Sequence, residues 1–242
     1  MSHQDLDLTS RHGHDFTSAN RDYFDKVADK HDDRPQSLKL AQRLAQSIQR
    51  AYPFNEESTT LLDFACGAGL MSRQLAPHCK SILGIDISQG MVDQYNTRVH
   101  NQGIPPEDMR ALCIELKGEE GELDGSKFDV VLASKGYGVQ CSMAYHHMPF
   151  PQETTKRLAF FVKPGGILLV TDYQAEDDAT GFPNTHANIV AHKAGFNEEQ
   201  MKEMFDGAGL GVFSLEKIVS AKMHGHGVKI FLAKGEKPSL PV

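Results

Sequence analysis

The run Leu61-Leu62-Asp63-Phe64-Ala65-Cys66-Gly67-Ala68-Gly69 passes from a short apolar segment into a glycine turn, and residues 70–77 continue at helical spacing. A turn this tight between a strand and a helix needs glycine where φ is positive or where a ligand approaches the backbone. It also places the unpaired N–H groups of a helix start beside that ligand. A plain strand-to-helix turn would use the same residues, so the stretch gains meaning from what surrounds it.

Apolar runs rich in Val, Ile and Leu recur at residues 61–65, 81–85, 109–115, 128–133 and 167–171, with helical stretches at 70–77, 90–101 and 152–162 between them. This alternation predicts a doubly wound α/β fold, a mainly parallel sheet with helices on both faces. The C-terminal part differs. Residues 197–208 read as a helix capped by Asn197, with Glu198 and Glu199 in its first turn and Gly209 as its stop. The runs 212–219 and 228–233 follow with only a short Gly/His loop between them, too short for a parallel crossover, so they should pair antiparallel. Before the glycine turn, residues 37–51 carry Leu38, Ala41, Leu44, Ala45 and Ile48 on one helical face. A weaker stripe of Phe24, Val27 and Ala28 ends at the polar residues 32–34.

Residues 81–87 form a second strand that ends in Asp86, about twenty residues past the glycine turn. A carboxylate there can accept both hydroxyls of a ribose, so turn and acid together point to an adenosine-type ligand. A dinucleotide site wants a third small residue where Ser72 stands, so that a pyrophosphate can sit on the helix start. Asp63 would repel a pyrophosphate but could help hold the amino end of a methionine, directly or through water. The balance favours S-adenosylmethionine (SAM) over NAD, and no Tyr-x-x-x-Lys pair supports a reductase.

These stretches resemble a class I SAM-dependent methyltransferase, of the group that includes quinone-biosynthesis C-methyltransferases and many small-molecule O-methyltransferases. The resemblance runs from about Tyr23 to Lys234. Residues 63–69 resemble the acid-plus-G-x-G-x-G motif, with Ala65 in place of the first glycine, and residues 83–88 resemble the ribose-binding motif. Phe128-Asp129-Val130-Val131 and Lys163-Pro164-Gly165-Gly166 resemble the motifs that lead into the fourth and fifth strands. The resemblance implies a seven-stranded, Rossmann-like sheet with an antiparallel last strand and an N-terminal helical lid that starts near Tyr23. Residues 1–15, rich in His and Asp and poor in apolar residues, read as a disordered polar tail, and the resemblance implies the lid at 16–55 and the SAM-binding domain at 56–236.

The implied cofactor set is Tyr23, Asp63, Ala65, Cys66, Gly67, Gly69, Asp86, Ile87, Met91, Glu115, Leu116, Ala133 and Ser134. Met91 is expected to pack on adenine. Glu115 is the nearest acid to the place where relatives carry an Asp for the adenine amino group, and it reads equally well as a surface acid.

Methyl transfer from a sulfonium is a direct displacement, in which the protein aligns the reactants and excludes water. A base is needed only where the nucleophile carries a proton. The segment after the fourth strand borders the ligand crevice of such sheets. There lie Ser134-Lys135-Gly136-Tyr137-Gly138 and Tyr145-His146-His147. His146 and His147 are the candidate bases, and a packing or cofactor-contact role stands beside that reading. Tyr137 and Tyr145 are candidates for the pocket wall.

With 25 Lys and Arg against 32 Asp and Glu, the net charge of -7 argues against a nucleic-acid partner. The four cysteines form no C-x-x-C pair, and His224 and His226 have no clear third ligand, so no metal is expected. Free thiols, a polar first 35 residues and the lack of a long apolar run suit a cytoplasmic or nuclear protein without a membrane span. The expected acceptor is a small molecule. A SAM-binding regulatory protein working through a partner and a protein methyltransferase are the competing readings.

Overall fold

A computed structural model describes residues 14–28, 35–134, 144–175, 188–223 and 226–239. The expected tail up to residue 13, Lys135 and Tyr137 after the fourth strand, Cys141, His186 and His224 lie outside the described residues.

Seven strands form one sheet: β1 Thr60–Phe64, β2 Ser81–Asp86, β3 Met109–Cys113, β4 Phe128–Ala133, β5 Val162–Ala175, β6 Gly211–Met223 and β7 His226–Glu236. Their order is β3-β2-β1-β4-β5-β7-β6. Strands β1 to β5 run parallel, and β7 is antiparallel to both β5 and β6, so the last strand turns as the sequence predicts. Neighbours fan out in opposite directions from β1 and β4, and the carboxyl ends of these strands open the crevice where such sheets bind ligands.

The apolar runs are nearly continuous because both faces are covered. Leu61, Val130, Leu132, Ile167, Leu169, Ile230 and Leu232 point to one face. Leu62, Val131, Ala133, Leu168, Val170, Phe231 and Ala233 point to the other. The period of two between adjacent residues is the pleat itself.

Among the described residues six α-helices flank the sheet: α1 Phe16–Val27, α2 Pro35–Ala51, α3 Leu70–Leu75, α4 Gln89–Asn101, α5 Pro151–Phe161 and α6 Glu198–Gly207. Their starts follow local chemistry. Ser88 caps α4 by accepting from the Met91 N–H, Pro151 opens α5, and Asn197 with Gln200 forms a capping box on α6. Gly209, at φ 74°, closes the last helix as expected.

Two expectations about the N-terminus change. Asp15 belongs to α1 rather than to a tail, because its carboxylate accepts from the Ser18 N–H at 3.0 Å and caps the helix. Of the residues 16–55 expected as a lid, only α1 covers the crevice. Ala41, Leu44 and Ile48 of α2 are fully buried in the same cluster as Leu61 and Leu70, so α2 is a layer of the core. Truncating Leu44 to alanine would cost about 2–5 kcal/mol, the range for a buried leucine. Strand β5 is longer than its apolar run and takes in the Lys163–Gly166 stretch, while His226 starts β7 rather than lying in a loop. No helix is long and apolar enough to cross a membrane among the described residues.

Candidate active site

The glycine turn after β1 holds Ala65, Gly67 and Gly69 at φ of 56°, 54° and 85°. A side chain at Gly69 would be strained twice, because a Cβ there would also stand 2.7 Å from the Tyr95 ring. Ala65 accepts the left-handed conformation despite its Cβ, a local strain of roughly 1–2 kcal/mol. Asp86, at the end of β2, ties the turn down: Oδ2 accepts from the Gly67 N–H at 2.8 Å and Oδ1 from the Ser88 N–H at 3.0 Å. Each carboxylate oxygen has two lone pairs, so both keep acceptor capacity toward a diol.

Above these strand ends lies a cavity of about 300 Å³. That is the lower end of the range for small-molecule pockets. Phe64, Ala65, Asp86, Ile87, Glu115 and Leu116 form its floor. Thr17, Asn20 and Phe24 of α1 roof it, and residues 144 and 147–150 with Glu153, Thr154, Arg157 and Leu158 close the side.

The roof is held by side chains. Asp25 Oδ1 accepts from Ser88 Oγ at 2.6 Å and from the Gly90 N–H at 3.0 Å, which docks α1 on the start of α4. Arg21 stands 3.9 Å from Glu115, an exposed pair of little energetic weight. On the other side Asn20 Nδ2 donates to the carbonyls of Phe16 at 2.8 Å and Ile189 at 3.1 Å.

The two adjacent histidines part company. His146 is fully buried and lies off the cavity; its ring Nδ1 is 3.0 Å from Asp172 Oδ1, and its backbone N–H donates to Asp172 Oδ2 at 3.0 Å. Its carbonyl accepts from the N–H groups of Ala191 and His192. It therefore ties β5 to the segment that carries Ile189. His147 lines the cavity, and its Nδ1 lies 2.5 Å from the Ile189 carbonyl oxygen. A carbonyl can only accept, so Nδ1 carries the hydrogen and Nε2 is the basic nitrogen of the neutral ring. The His147 ring meets the Phe24 edge with centroids 5.7 Å apart.

Of the residues expected from sequence, Ala65, Asp86, Ile87, Glu115, Leu116 and His147 line the cavity. The others stand elsewhere. Met91 is buried with Phe24, Ala28 and Ala68 beneath α1 and does not line the cavity. Tyr23 packs on the same cluster while its neighbour Phe24 reaches the cavity, a one-residue rotation on the helix. Gly67 and Gly69 shape the turn, and Cys66, whose N–H donates to the Ile85 carbonyl, is buried behind it. Ala133 and Ser134 are fully buried, with Ser134 Oγ accepting from Thr171 Oγ1 at 2.7 Å. Tyr145 is also a core residue, its hydroxyl 3.2 Å from Thr155 Oγ1.

Asp63 is the largest departure. Its carboxyl is fully buried, lies off the cavity wall and bonds Ser72 Oγ at 2.5 Å, so it makes no direct contact with a ligand there. Burial pushes its pKa up to about 7, against the opposing hydrogen bond from Ser72. Sequence reading missed Asn20, Phe24, Met148, Phe150 and the wall from α5. A helical stripe marked only Phe24, and no local motif marks the rest.

The cavity, with a buried acid on its floor and a polar roof, suits a nucleoside ligand, and the glycine turn beside it is held by Asp86. The comparisons agree. The methyltransferase-domain family matches residues 37–215, well over half of the chain. An uncharacterised methyltransferase of Schizosaccharomyces pombe is 38% identical over 165 residues, which are 65% of this chain and 55% of that protein. A ubiquinone biosynthesis O-methyltransferase of Coxiella burnetii is 30% identical over 108 residues, 45% of this chain and 41% of the relative. The chain thus spans about half the length of these curated relatives or less. Among solved structures, the magnesium protoporphyrin IX methyltransferase of Synechocystis with bound SAM superposes with a TM-score of 0.60 at 16% identity, over 92% of this chain and 97% of that one. The sheet order and the glycine turn are thus those of a known group, and this chain belongs to the methyltransferase-domain family, with the fold of the class I SAM-dependent methyltransferases.

Proposed function

We propose that the protein transfers the methyl group of SAM to a small-molecule acceptor whose nucleophile gives up a proton, a hydroxyl above all, with His147 as the general base. Bound SAM supplies an electrophilic methyl on a sulfonium; the chain supplies alignment, a dry cavity and a proton acceptor. The observation that carries the reading is the bond from His147 Nδ1 to the Ile189 carbonyl within the cavity wall, because it fixes Nε2 as the basic atom. A positioned base of this kind contributes about 10²–10⁴ in rate. The O-methyl chemistry named for the Coxiella relative points the same way.

In the same reading α1 is the lid, Asp86 holds the ribose, and Glu115 with Leu116 borders the adenine. The free thiols of Cys66, Cys79 and Cys113 suit a cytoplasmic setting, and the nucleus equally.

The test is label transfer. Protein incubated with methyl-tritiated SAM and a low-molecular-weight cell extract should yield labelled small molecules, lost in His147→Gln. Label that appears only in protein, or none at all with a chain that binds SAM, would overturn the reading in favour of a protein methyltransferase or a SAM-binding regulator.

A further inference from the structure

Asn20 is 6% exposed, lines the cavity, and has its amide orientation fixed by its surroundings. Both Nδ2 hydrogens are used, one on the Phe16 carbonyl and one on the Ile189 carbonyl. Oxygen cannot donate to those carbonyls, so the amide cannot flip and Oδ1 is necessarily the atom left as acceptor. Oδ1 is buried and has no hydrogen-bond partner among the described residues. A buried acceptor left without a donor costs roughly 1–3 kcal/mol, so a group of this kind beside a cavity marks a ligand contact.

The donor can be identified by elimination. Asp86 at the end of β2 faces the ribose hydroxyls, and Glu115 after β3 stands at the adenine end. Asn20 lies toward the other side, tied through the Ile189 carbonyl to His147. Two donors reach that side: the ammonium of the methionine part and the acceptor's own X–H. The second must surrender its proton, which suits His147. A neutral amide oxygen cannot take a proton up, so it suits a donor that stays protonated throughout.

We propose that Asn20 Oδ1 accepts a hydrogen bond from the α-ammonium of the bound cofactor, so that the lid helix reads the amino-acid end of SAM. This rests on SAM being the cofactor of this cavity. It adds to the glycine turn a binding residue that no local motif announces, and it gives α1 a reason to order when the cofactor enters.

Calorimetry with three ligands tests it: S-adenosylhomocysteine, its desamino analogue, and 5′-methylthioadenosine, which lacks the amino-acid end. The native protein should bind the desamino analogue at least roughly tenfold more weakly than S-adenosylhomocysteine, the size of a charge-assisted hydrogen bond. Asn20→Leu should lose about that factor for S-adenosylhomocysteine and stay within about twofold for the other two. An equal loss for all three ligands, or no loss for any, overturns the proposal; the first leaves Asn20 a packing residue and the second leaves Oδ1 to the acceptor. Asn20→Ala serves as the second variant if the leucine is not accommodated. Equal binding of S-adenosylhomocysteine and its desamino analogue by the native protein overturns it without any variant. If none of the three ligands binds the native protein, the cofactor assignment itself fails.

Discussion

Asp86 on the floor of the cavity and Asn20 in its roof are both buried acceptors, yet they are held in different ways. Asp86 ends a strand that is paired on both sides, and its two oxygens grip backbone N–H groups of the neighbouring turns. Asn20 sits on a helix that meets the rest of the chain through a small apolar cluster and single polar side chains: Asp25 on Ser88 and Gly90, Asn20 on Ile189, Arg21 near Glu115. Moving the floor means breaking a sheet. Moving the roof breaks a few side-chain bonds and unpacks the small cluster of Phe24 and Ala28 on Ala68 and Met91, and elements with so few contacts open at lower free energy than the core.

The two histidines sharpen this contrast with the largest expected effect. With the acceptor from the labelling experiment in hand, His147→Gln should lower kcat by about 10²–10⁴ while S-adenosylhomocysteine affinity stays within about twofold. His146→Gln should act through the core. It removes the partner of buried Asp172, so the melting temperature should fall with a loss of roughly 1–3 kcal/mol, while kcat at saturation survives. A full kcat in His147→Gln, or the reverse pattern between the two variants, breaks the assignment.

Asp63 probes the ground beneath the floor through pH. Burial raises its folded pKa to about 7 from an ordinary value of 3.8, so the folded protein holds this proton more tightly than the unfolded chain. Its contribution to stability is therefore full below about pH 4 and is lost as pH rises through 7, on the order of 3–4 kcal/mol in all. Asp63→Asn removes the titration. Melting temperatures of the two proteins should diverge in favour of the variant from pH 5 to pH 8, and a gap that does not change with pH would show the carboxyl to be ionised throughout.

The third effect is smaller and belongs to the floor itself. Asp86→Ala removes the ribose acceptor and the anchor of the Gly67 and Ser88 N–H groups, so SAM affinity should fall at least roughly tenfold by calorimetry. Unchanged affinity would take Asp86 out of the site.

The smallest effect belongs to the roof. Asp25→Ala loses the bonds from Ser88 Oγ and the Gly90 N–H, worth about 1 kcal/mol by analogy with helix caps. Hydrogen exchange in residues 16–28 should quicken while the sheet keeps its protection, and S-adenosylhomocysteine should slow it again. Exchange that is the same in the variant and the native protein would mean that α1 is held by its apolar face alone.

The floor was legible in the sequence because its parts are local. A strand that ends in a glycine turn, and a second strand that ends in an acid, are patterns of a few residues, and the parallel register of β1 and β2 brings Gly67 and Asp86 together without further help. Where a local pattern failed, a rotation or a packing choice was at stake. Tyr23 and Phe24 are neighbours on a helix turning about 100° per residue, so the identity of the cavity-facing aromatic depends on how α1 docks. Met91 follows Asp86 by five positions, but α1 lies over it. Asp63 precedes the turn as expected, yet β1 directs its side chain into the core, where Ser72 meets it.

The sequence by itself determined the order and kind of the elements, the antiparallel last strand, the glycine turn and the acid at the end of β2, since periodicity, glycine conformation and caps act over a few residues. Only the tertiary structure decided that His147 and not His146 faces the cavity, that Asp172 claims the other ring, and that α2 is core while α1 lines the cavity. It alone brought Asn20 and His147 to the single carbonyl of Ile189, which lies 169 and 42 residues away from them along the chain. The physical reason is that each of these choices is a competition for one buried partner between groups distant in sequence, and packing settles it.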